Sequence, residues 1–408
     1  MPTVLVTDAD RGSAVAVIRS LGRRGWRVIA AGPHPLSAGL HSRYAAERLC
    51  YPHPRRAPEG LLEVLHRRAS EGGVDLIVPV TDDVALPLAA ARDRFAGVCA
   101  LALPADAQLH VATDKLATLE LAAELGVPVP RTLVAATADE AVAQAGLLDW
   151  PVVVKPRRSR ASGPAGALEA FTVSYAADAD QLAAQVATLE GRVPALLQEH
   201  CPGEGVGVEV LMLDGRPLAA FQHRRLREVP PSGGASALRE SVALDPVLLG
   251  HTVRLLGALG WTGLAMAEFK VGRAGARLME VNGRIWGSLA LAVRSGMDFP
   301  ARLADVLTGN GDRVATSFDG DYAVGVRSRD LELELRWIGT VLRGVPPLAA
   351  TASPSRRDAL RVAAALVHPA DGYDVLSAAD PWPGAAEAAT LVARGIRALR
   401  RRHVGAGR

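Results

Sequence analysis

The stretch Leu264-Ala-Met-Ala-Glu268-Phe-Lys270 is followed, after a Gly-Arg-Ala-Gly turn, by Arg277-Leu-Met-Glu280-Val-Asn282-Gly-Arg284. Two short apolar runs flank a glycine-containing turn, which predicts a β-hairpin. Side chains alternate along a strand, so Glu280 and Asn282 share one face, and a short hairpin brings Glu268 beside them. Two carboxylates and a carboxamide make an oxygen-only ligand set, which suits Mg²⁺ rather than zinc. The competing reading is that both glutamates simply face solvent. Against it, each stands in an otherwise apolar strand, where an unpaired carboxylate is costly.

Upstream, Trp150-Pro-Val-Val-Val-Lys155-Pro156 predicts a β-branched strand closing at a lysine, and Ser159–Gly166 is a small-residue loop. Point cations beside a flexible loop with free backbone N–H groups suit phosphate. The loop lacks the GxxxxGK[ST] spacing, which excludes a Walker A site. Lys115 sits in Thr113-Asp-Lys, at the start of a helix expected over Thr113–Leu125, with Thr113 as its cap and Gly126 as its stop. The chain has only three lysines, Lys115, Lys155 and Lys270, among 46 basic residues. Where arginine is the default cation, a lysine marks a place for a compact ammonium. Between these elements lies Ala195-Leu-Leu-Gln198-Glu199-His200-Cys-Pro-Gly-Glu204, an apolar strand running into acidic groups able to accept from a ribose or an adenine amino group. Gly203-Glu-Gly-Val-Gly207 reads as a turn between strands.

The first hundred residues alternate strand and helix signals, so a parallel sheet covered on both faces is expected. No GxGxxG follows the first strand, which argues against a dinucleotide fold. After residue 106 the pattern becomes α+β with mostly antiparallel pairing. The C-terminal quarter reads as helices over Leu331–Leu342, Asp358–Val367 and Ala385–Arg402, with a Pro/Ser-rich link from Pro346 to Ser355. Gln222-His-Arg-Arg-Leu-Arg227 sets Arg224, Arg225 and Arg227 on a strand, where a guanidinium fork clamps a carboxylate, or where the three protect a solvated sheet edge. His223 among them reads as structural. The Gly233-Gly234 loop that follows offers backbone donors.

With 408 residues, 49% of them hydrophobic, the chain is too long for one core and too apolar to be disordered. A net charge of +3 does not read as a nucleic-acid binder. Three scattered cysteines indicate neither a disulfide framework nor a zinc site. No basic n-region opens the chain, and no apolar run approaches the about 18 residues of a membrane helix. A cytoplasmic protein without a membrane span is expected.

Taken in order, these motifs resemble the ATP-grasp ligase superfamily, over roughly Val4 to Gly309. The ordered features are a βαβ lobe, Asp-Lys115, Val-Val-Val-Lys155-Pro, a Gly/Ser loop, Gln198-Glu199-x-x-Pro-Gly-Glu204, and Glu268-x(11)-Glu280-Val-Asn282-Gly-Arg284. Met279-Glu-Val-Asn-Gly-Arg-Ile-Trp-Gly-Ser288 is the most specific piece. It resembles the Glu-x-Asn-x-Arg ending of biotin carboxylases, carbamoyl phosphate synthetases and stand-alone carboxylate–amine ligases, and the chain looks most like the D-aspartate ligase type. Gly283 stands where family members often have proline.

The resemblance implies an α/β and α+β chain. Its parts would be an N-terminal parallel pre-ATP-grasp lobe (1–105), two ATP-grasp lobes (106–190 and 191–310) and a mainly helical C-terminal extension (311–408). It implies ATP and Mg²⁺, with Mn²⁺ as a substitute. Lys115 and Lys155 would contact phosphates, under a loop carrying Ser159, Ser162 and Gly163. Gln198, Glu199 and His200 would hold adenine and Glu204 ribose. Glu268, Glu280 and Asn282 would hold the metal. Arg284, with Lys155, would be catalytic. Substrate contacts fall to Arg224, Arg225, Arg227, Gly233, Gly234 and Ser288. The implied reaction joins a small carboxylate and an amine through an acyl phosphate. A non-catalytic ATP-binding module and a bicarbonate-using carboxylase stay open beside it. A homodimer is a further expectation, since many relatives are dimers.

Overall fold

The computed structural model describes residues 1–163, 166–231, 233–309, 317–344, 354–368 and 370–405, with only the backbone of 398–405. The tip of the Gly/Ser loop at 164–165, Ser232 and the link at 345–353 lie outside the described residues.

The N-terminal strands are β1 (Thr3–Val6), β2 (Arg27–Gly32), β3 (Ala45–Cys50), β4 (Leu76–Val78) and β5 (Ala100–Leu101). They form an all-parallel sheet in the order β3-β2-β1-β4-β5. β1 is buried along its whole length and β2 nearly so, as helices covering both faces require. β3 is an edge strand whose residues alternate between half-buried and exposed, with Glu47 and Arg48 among them. The apolar-run criterion overlooks such a strand. Where a dinucleotide fold would have its glycine turn, Asp8 sits at φ 55. Its carboxylate accepts from Val80 N, Thr81 N, Thr81 Oγ1 and Thr7 Oγ1, tying the ends of β1 and β4 together. Burial and Asp10 raise its pKa to about 6.

Two helices, Asp106–Thr113 and Lys115–Glu124, replace the single one expected. Asp114 breaks the run and caps the second, accepting from Leu116 N and Ala117 N. Thr113 does not cap, because its hydroxyl donates back to Leu109 O.

The next strands are β6 (Thr132–Ala135), β7 (Val152–Pro156), β8 (Arg160–Ser162), β9 (Leu168–Ala170), β10 (Ser174–Ala176) and β11 (Ala195–Gln198). Four of them form an antiparallel sheet, β10-β7-β11-β6, packed on the helices Ala138–Gln144 and Ala179–Ala187 around a core that includes Val152, Val154, Leu182 and Leu197. β8 and β9 pair with each other, so the Gly/Ser segment is a small hairpin.

The last strands are β12 (Glu204–Leu213), β13 (Arg216–Val229), β14 (Ala235–Ser241), β15 (Gly263–Gly272), β16 (Gly275–Asn282), β17 (Arg327–Arg329) and β18 (Gly372–Tyr373). They form a seven-stranded sheet, β16-β15-β12-β13-β14-β17-β18, antiparallel except at its last pair. The expected hairpin is β15–β16. Gly205 and Gly207 lie within β12, so only the first part of the glycine run is a turn. The C-terminal helices Leu331–Arg343, Arg356–Ala365 and Trp382–Gly405 are accompanied by two strands that the sequence did not announce, β17 and β18. Both are very short and polar, and periodicity cannot be read over two or three residues. No helix among the described residues is long and apolar enough to cross a membrane.

Candidate active site

A cleft of about 550 Å³ lies between the four-stranded sheet and one face of the seven-stranded sheet. Strand register sets what that face presents. Glu280 on β16 pairs with Glu268 on β15, which pairs with Gly207 on β12, which pairs with His223 on β13. One row along, Lys270 pairs with Gly205, Gly205 is opposite Arg225, and Arg225 pairs with Arg239 on β14. Period-two alternation carries both rows to the same face. The glycines are needed there. A Cβ at Gly207 would run into the His223 ring, lying 2.9 Å from Nδ1, and one at Gly205 would lie 2.9 Å from Arg225 Cδ. Two large polar side chains of β13 therefore lie flat across β12.

At one end, Asn282 Nδ2 donates to Glu268 Oε1 at 2.9 Å. Glu268 also pairs with Arg225, which reaches Glu228 at 3.2 Å as well. Lys115, buried at a helix start, donates from Nζ to Ser159 Oγ at 2.6 Å and lies 3.9 Å from Glu280 Oε2. Lys155 ends near Met279, its Nζ 4.0 Å from the sulfur. Burial pushes the Glu280 carboxyl up, but Lys115, Lys155, Arg225 and Arg284 outweigh burial and hold it below the usual carboxylate range. For Lys155, burial wins over the attraction of Glu280 and lowers the ammonium pKa. Two carboxylates and an amide make an oxygen donor set that fits a hard oxygen-seeking cation. Cations crowding Glu280 fit a site that also receives phosphate.

Arg284 is held from the N-terminal lobe, its Nε donating to Asp82 Oδ1 at 2.8 Å. The neighbouring Asp83 takes Arg160 of the β8–β9 hairpin at 2.5 Å, and Leu168 N on that hairpin donates to Arg55 O. Adjacent aspartates thus fix both Arg284 and the hairpin. Ser162 ends β8, and Gly163 N closes the hairpin onto Ala167 O at 2.7 Å.

Lys155, Gln198, Glu199, His200, Arg225, Gly233, Gly234, Glu268, Glu280, Asn282, Arg284 and Ser288 all line the cleft. Gln198 donates to Thr132 Oγ1 at 2.9 Å, and Glu199 accepts from Arg131 N at 3.0 Å, fixing the strand end where the two sheets meet. Gly234 O accepts from Arg225 at 3.2 Å, and a Cβ at Gly233 would meet the Tyr175 hydroxyl at 2.7 Å. Arg224 and Arg227 are not brought there. Arg224 pairs with Glu240 at 2.6 Å, and Arg227 pairs with Glu334 at 2.5 Å while stacking on Trp337. Strand alternation turns Arg224 to the opposite face, and a register shift around Arg227 removes that residue too. Glu204 stays exposed at the start of β12, 3.7 Å from Arg224 and off the cleft lining.

Sequence reasoning missed Lys270, which lines the cleft and meets Glu228 at 2.9 Å, although its rarity as a lysine was a signal. It also missed Arg239, which carries no motif, Met266 and Trp286, which stand inside the quoted stretches Leu264–Lys270 and Met279–Ser288 without a role of their own, and the buried contact between His223 Nδ1 and Glu209 Oε1 at 2.5 Å.

The family described as "ATP-grasp in the biosynthetic pathway with Ter operon" matches residues 192–327, the segment that supplies most of the cleft's seven-stranded wall. A biotin carboxylase–βγ-ATP complex from Campylobacter jejuni superposes with a TM-score of 0.59 at 18% identity, covering 75% of this chain and 71% of that one. The chain has the ATP-grasp fold. The biotin carboxylase domain dimer of 2-oxoglutarate carboxylase from Hydrogenobacter thermophilus, in complex with MgADP, ADP and bicarbonate, gives a TM-score of 0.62 at 18% identity over 80% of this chain and 73% of that one. An L-amino acid ligase from Bacillus licheniformis gives 0.55 at 15% identity over 76% and 74%. No curated protein matches the chain in sequence. Within this ATP-grasp fold the cleft lies where the two antiparallel sheets face each other.

Proposed function

We propose that the chain is an ATP-dependent carboxylate–amine ligase that forms an amide through an acyl phosphate and releases ADP and phosphate. The observation that carries this reading is the convergence of Lys115, Lys155 and Arg284 on Glu280, beside Glu268 and Asn282. Glu268, Glu280 and Asn282 would hold Mg²⁺, or Mn²⁺ in its place. When bound, the metal neutralises charge on the phosphoryl oxygens. Lys115 and Lys155 would bind phosphate oxygens, with the Ser159 hydroxyl beside them. Backbone groups at Gln198–His200 would take adenine. Glu204 would reach a ribose hydroxyl by leaving Arg224.

Arg284, oriented by Asp82, would stabilise charge on the transferring phosphoryl group. The substrate carboxylate attacks the γ-phosphorus, the bond to the bridging oxygen breaks, and ADP leaves. An uncharged amine then attacks the acyl carbon, phosphate departs with the bond electrons, and the amine loses a proton to give the amide. The β8–β9 hairpin, resting on the N-terminal lobe through Asp83, would keep water from the acyl phosphate.

The test is ADP, AMP and phosphate release from MgATP with pooled carboxylic acids and amines, and with bicarbonate alone. ADP release that requires both an acid and an amine pool supports the ligase. ADP release with bicarbonate alone supports carboxylase chemistry instead. AMP release overturns the acyl-phosphate route, and nucleotide binding without turnover in any arm favours a non-catalytic module.

A further inference from the structure

Beyond the groups already given a role, the cleft wall under β13 and β14 carries four polar atoms without a protein partner among the described residues. They are Arg225 Nε, Arg239 Nε, His223 Nε2 and Trp286 Nε1. All four residues line the cleft, and His223, Arg239 and Trp286 are 1%, 1% and 0% exposed. Guanidinium and indole nitrogens only donate. His223 presents one free ring nitrogen, since Nδ1 meets Glu209 Oε1 at 2.5 Å and Nε2 has no partner among the described residues. Burial raises the Glu209 carboxyl well above the usual range, while burial, Arg225 and Arg239 push the His223 imidazole down to about 3. The wall therefore offers donors from Arg225, Arg239 and Trp286 beside the free Nε2 of His223, and unpaired buried donors are costly unless something accepts from them.

Arg239 is also held rigidly. Its Nη1 donates to Ser236 O at 2.7 Å, and its Nη2 contacts Asp374 and, at 3.3 Å, Gly287 O. Asp374 belongs to the C-terminal segment, beside β18. It accepts from Ser328 Oγ at 2.5 Å, and its carbonyl accepts from Arg19 of the N-terminal lobe at 3.3 Å. The C-terminal segment so fixes one edge of the guanidinium and leaves Nε as the unpaired edge.

We propose that this end of the cleft is a second anion subsite, holding a carboxylate remote from the one that is phosphorylated, with Arg239 and Trp286 as its donors and Asp374 as the residue positioning Arg239. The proposal rests on the ligase reading. β14 lies three strands from β15, about 14 Å at the usual spacing of about 4.8 Å, so a carboxyl reacting beside Glu268 is not the group held at Arg239. A planar acceptor of several hydrogen bonds suits a guanidinium edge flanked by N–H donors. The remote carboxylate comes either from a diacid acyl donor or from an amino-acid amine donor.

Calorimetric titration of the full chain, with and without MgADP, distinguishes these sources. One arm compares succinate, glutarate and adipate with their monoamides, and the other compares L-alanine and L-leucine with their amides. In one arm the free acid should bind about ten- to a hundredfold more tightly than its amide. Arg239→Gln and Trp286→Phe should each remove most of that preference, and Trp286→Phe keeps most of the buried ring should Arg239→Gln fail to fold. No preference in either arm, or a preference that survives both variants, overturns the subsite. Failure of MgATP turnover would sink the ligase reading alone, since the acid-over-amide preference is read without turnover.

Discussion

Gly207→Ala tests the idea that β12 is kept bare so that His223 can lie across it. The new methyl would collide with the imidazole, 2.9 Å from Nδ1, and would come within 3.1 Å of Met266 Sδ. The ring cannot yield cheaply, because it is buried and bonded to Glu209. Forcing one carbon into a packed site costs about 1–3 kcal/mol. Alanine returns about 0.4–1 kcal/mol by stiffening the unfolded chain, since the backbone here has no positive φ. The net expectation is a loss of about 1–2 kcal/mol. Gly205→Ala is the milder comparison, because its nearest neighbours are Arg225 Cδ at 2.9 Å and Glu228 Oε1 at 3.1 Å, on ion-paired side chains that give more readily than a fully buried ring. Its net effect should be a smaller loss, of about 0.5–1 kcal/mol. Urea unfolding of both variants, compared at the midpoint with unchanged slope, gives the difference. Equal losses, or a larger loss for Gly205→Ala, would refute the reasoning.

Glu280→Gln should lower ADP formation by about a hundredfold or more in a coupled ADP assay, because it removes a carboxylate on which four cations act, Lys115, Lys155, Arg225 and Arg284. Asp380→Ala should destabilise by about 3–5 kcal/mol in chemical unfolding, since Asp380 is buried and accepts from Arg19, Ser42 and Arg43 N, and its loss strands the buried Arg19 charge. Glu387 has its pKa raised to about 8 by burial and by Asp330, Asp374 and Glu332, against an ordinary 4.5. A raised acid favours the neutral form in the fold, so its contribution is full below pH 4.5 and is lost as pH rises through about 8. Glu387→Gln should therefore gain stability relative to the parent from pH 5 to pH 8, by about 1–2 kcal/mol at the upper end, as thermal melts across that range would show.

Much of the fold was legible because it is written in long runs. The β15–β16 hairpin shows two apolar strands and a glycine turn, and Glu268, Glu280 and Asn282 meet as alternation requires. Lys155 could be placed because a β-branched strand ends at it. The residues that escaped share a cause. Arg239 reaches the cleft through strand order, with β14 beside β13, and Trp286 reaches it from the link after β16, and local sequence encodes neither neighbourhood. Gly205 and Gly207 looked like a turn because the partners that need their bareness, Arg225 and His223, lie on another strand. Arg224 and Arg227 looked like clamps because one strand alone does not reveal which face is cleft or where the register shifts. β17 and β18 were too short for any period, yet Asp374 beside β18 ties the C-terminal segment to the cleft wall.

The central claim is that a substrate carboxylate attacks the γ-phosphate. Carboxylic acids labelled with ¹⁸O in the carboxyl group, supplied with MgATP and an amine pool, test it by mass spectrometry of the released phosphate. One ¹⁸O per turnover in inorganic phosphate is the predicted result, since the acyl phosphate gives up the oxygen by which it was joined. Unlabelled phosphate would contradict the account by pointing to water as the attacking group, and ¹⁸O in AMP would contradict it by pointing to adenylate chemistry.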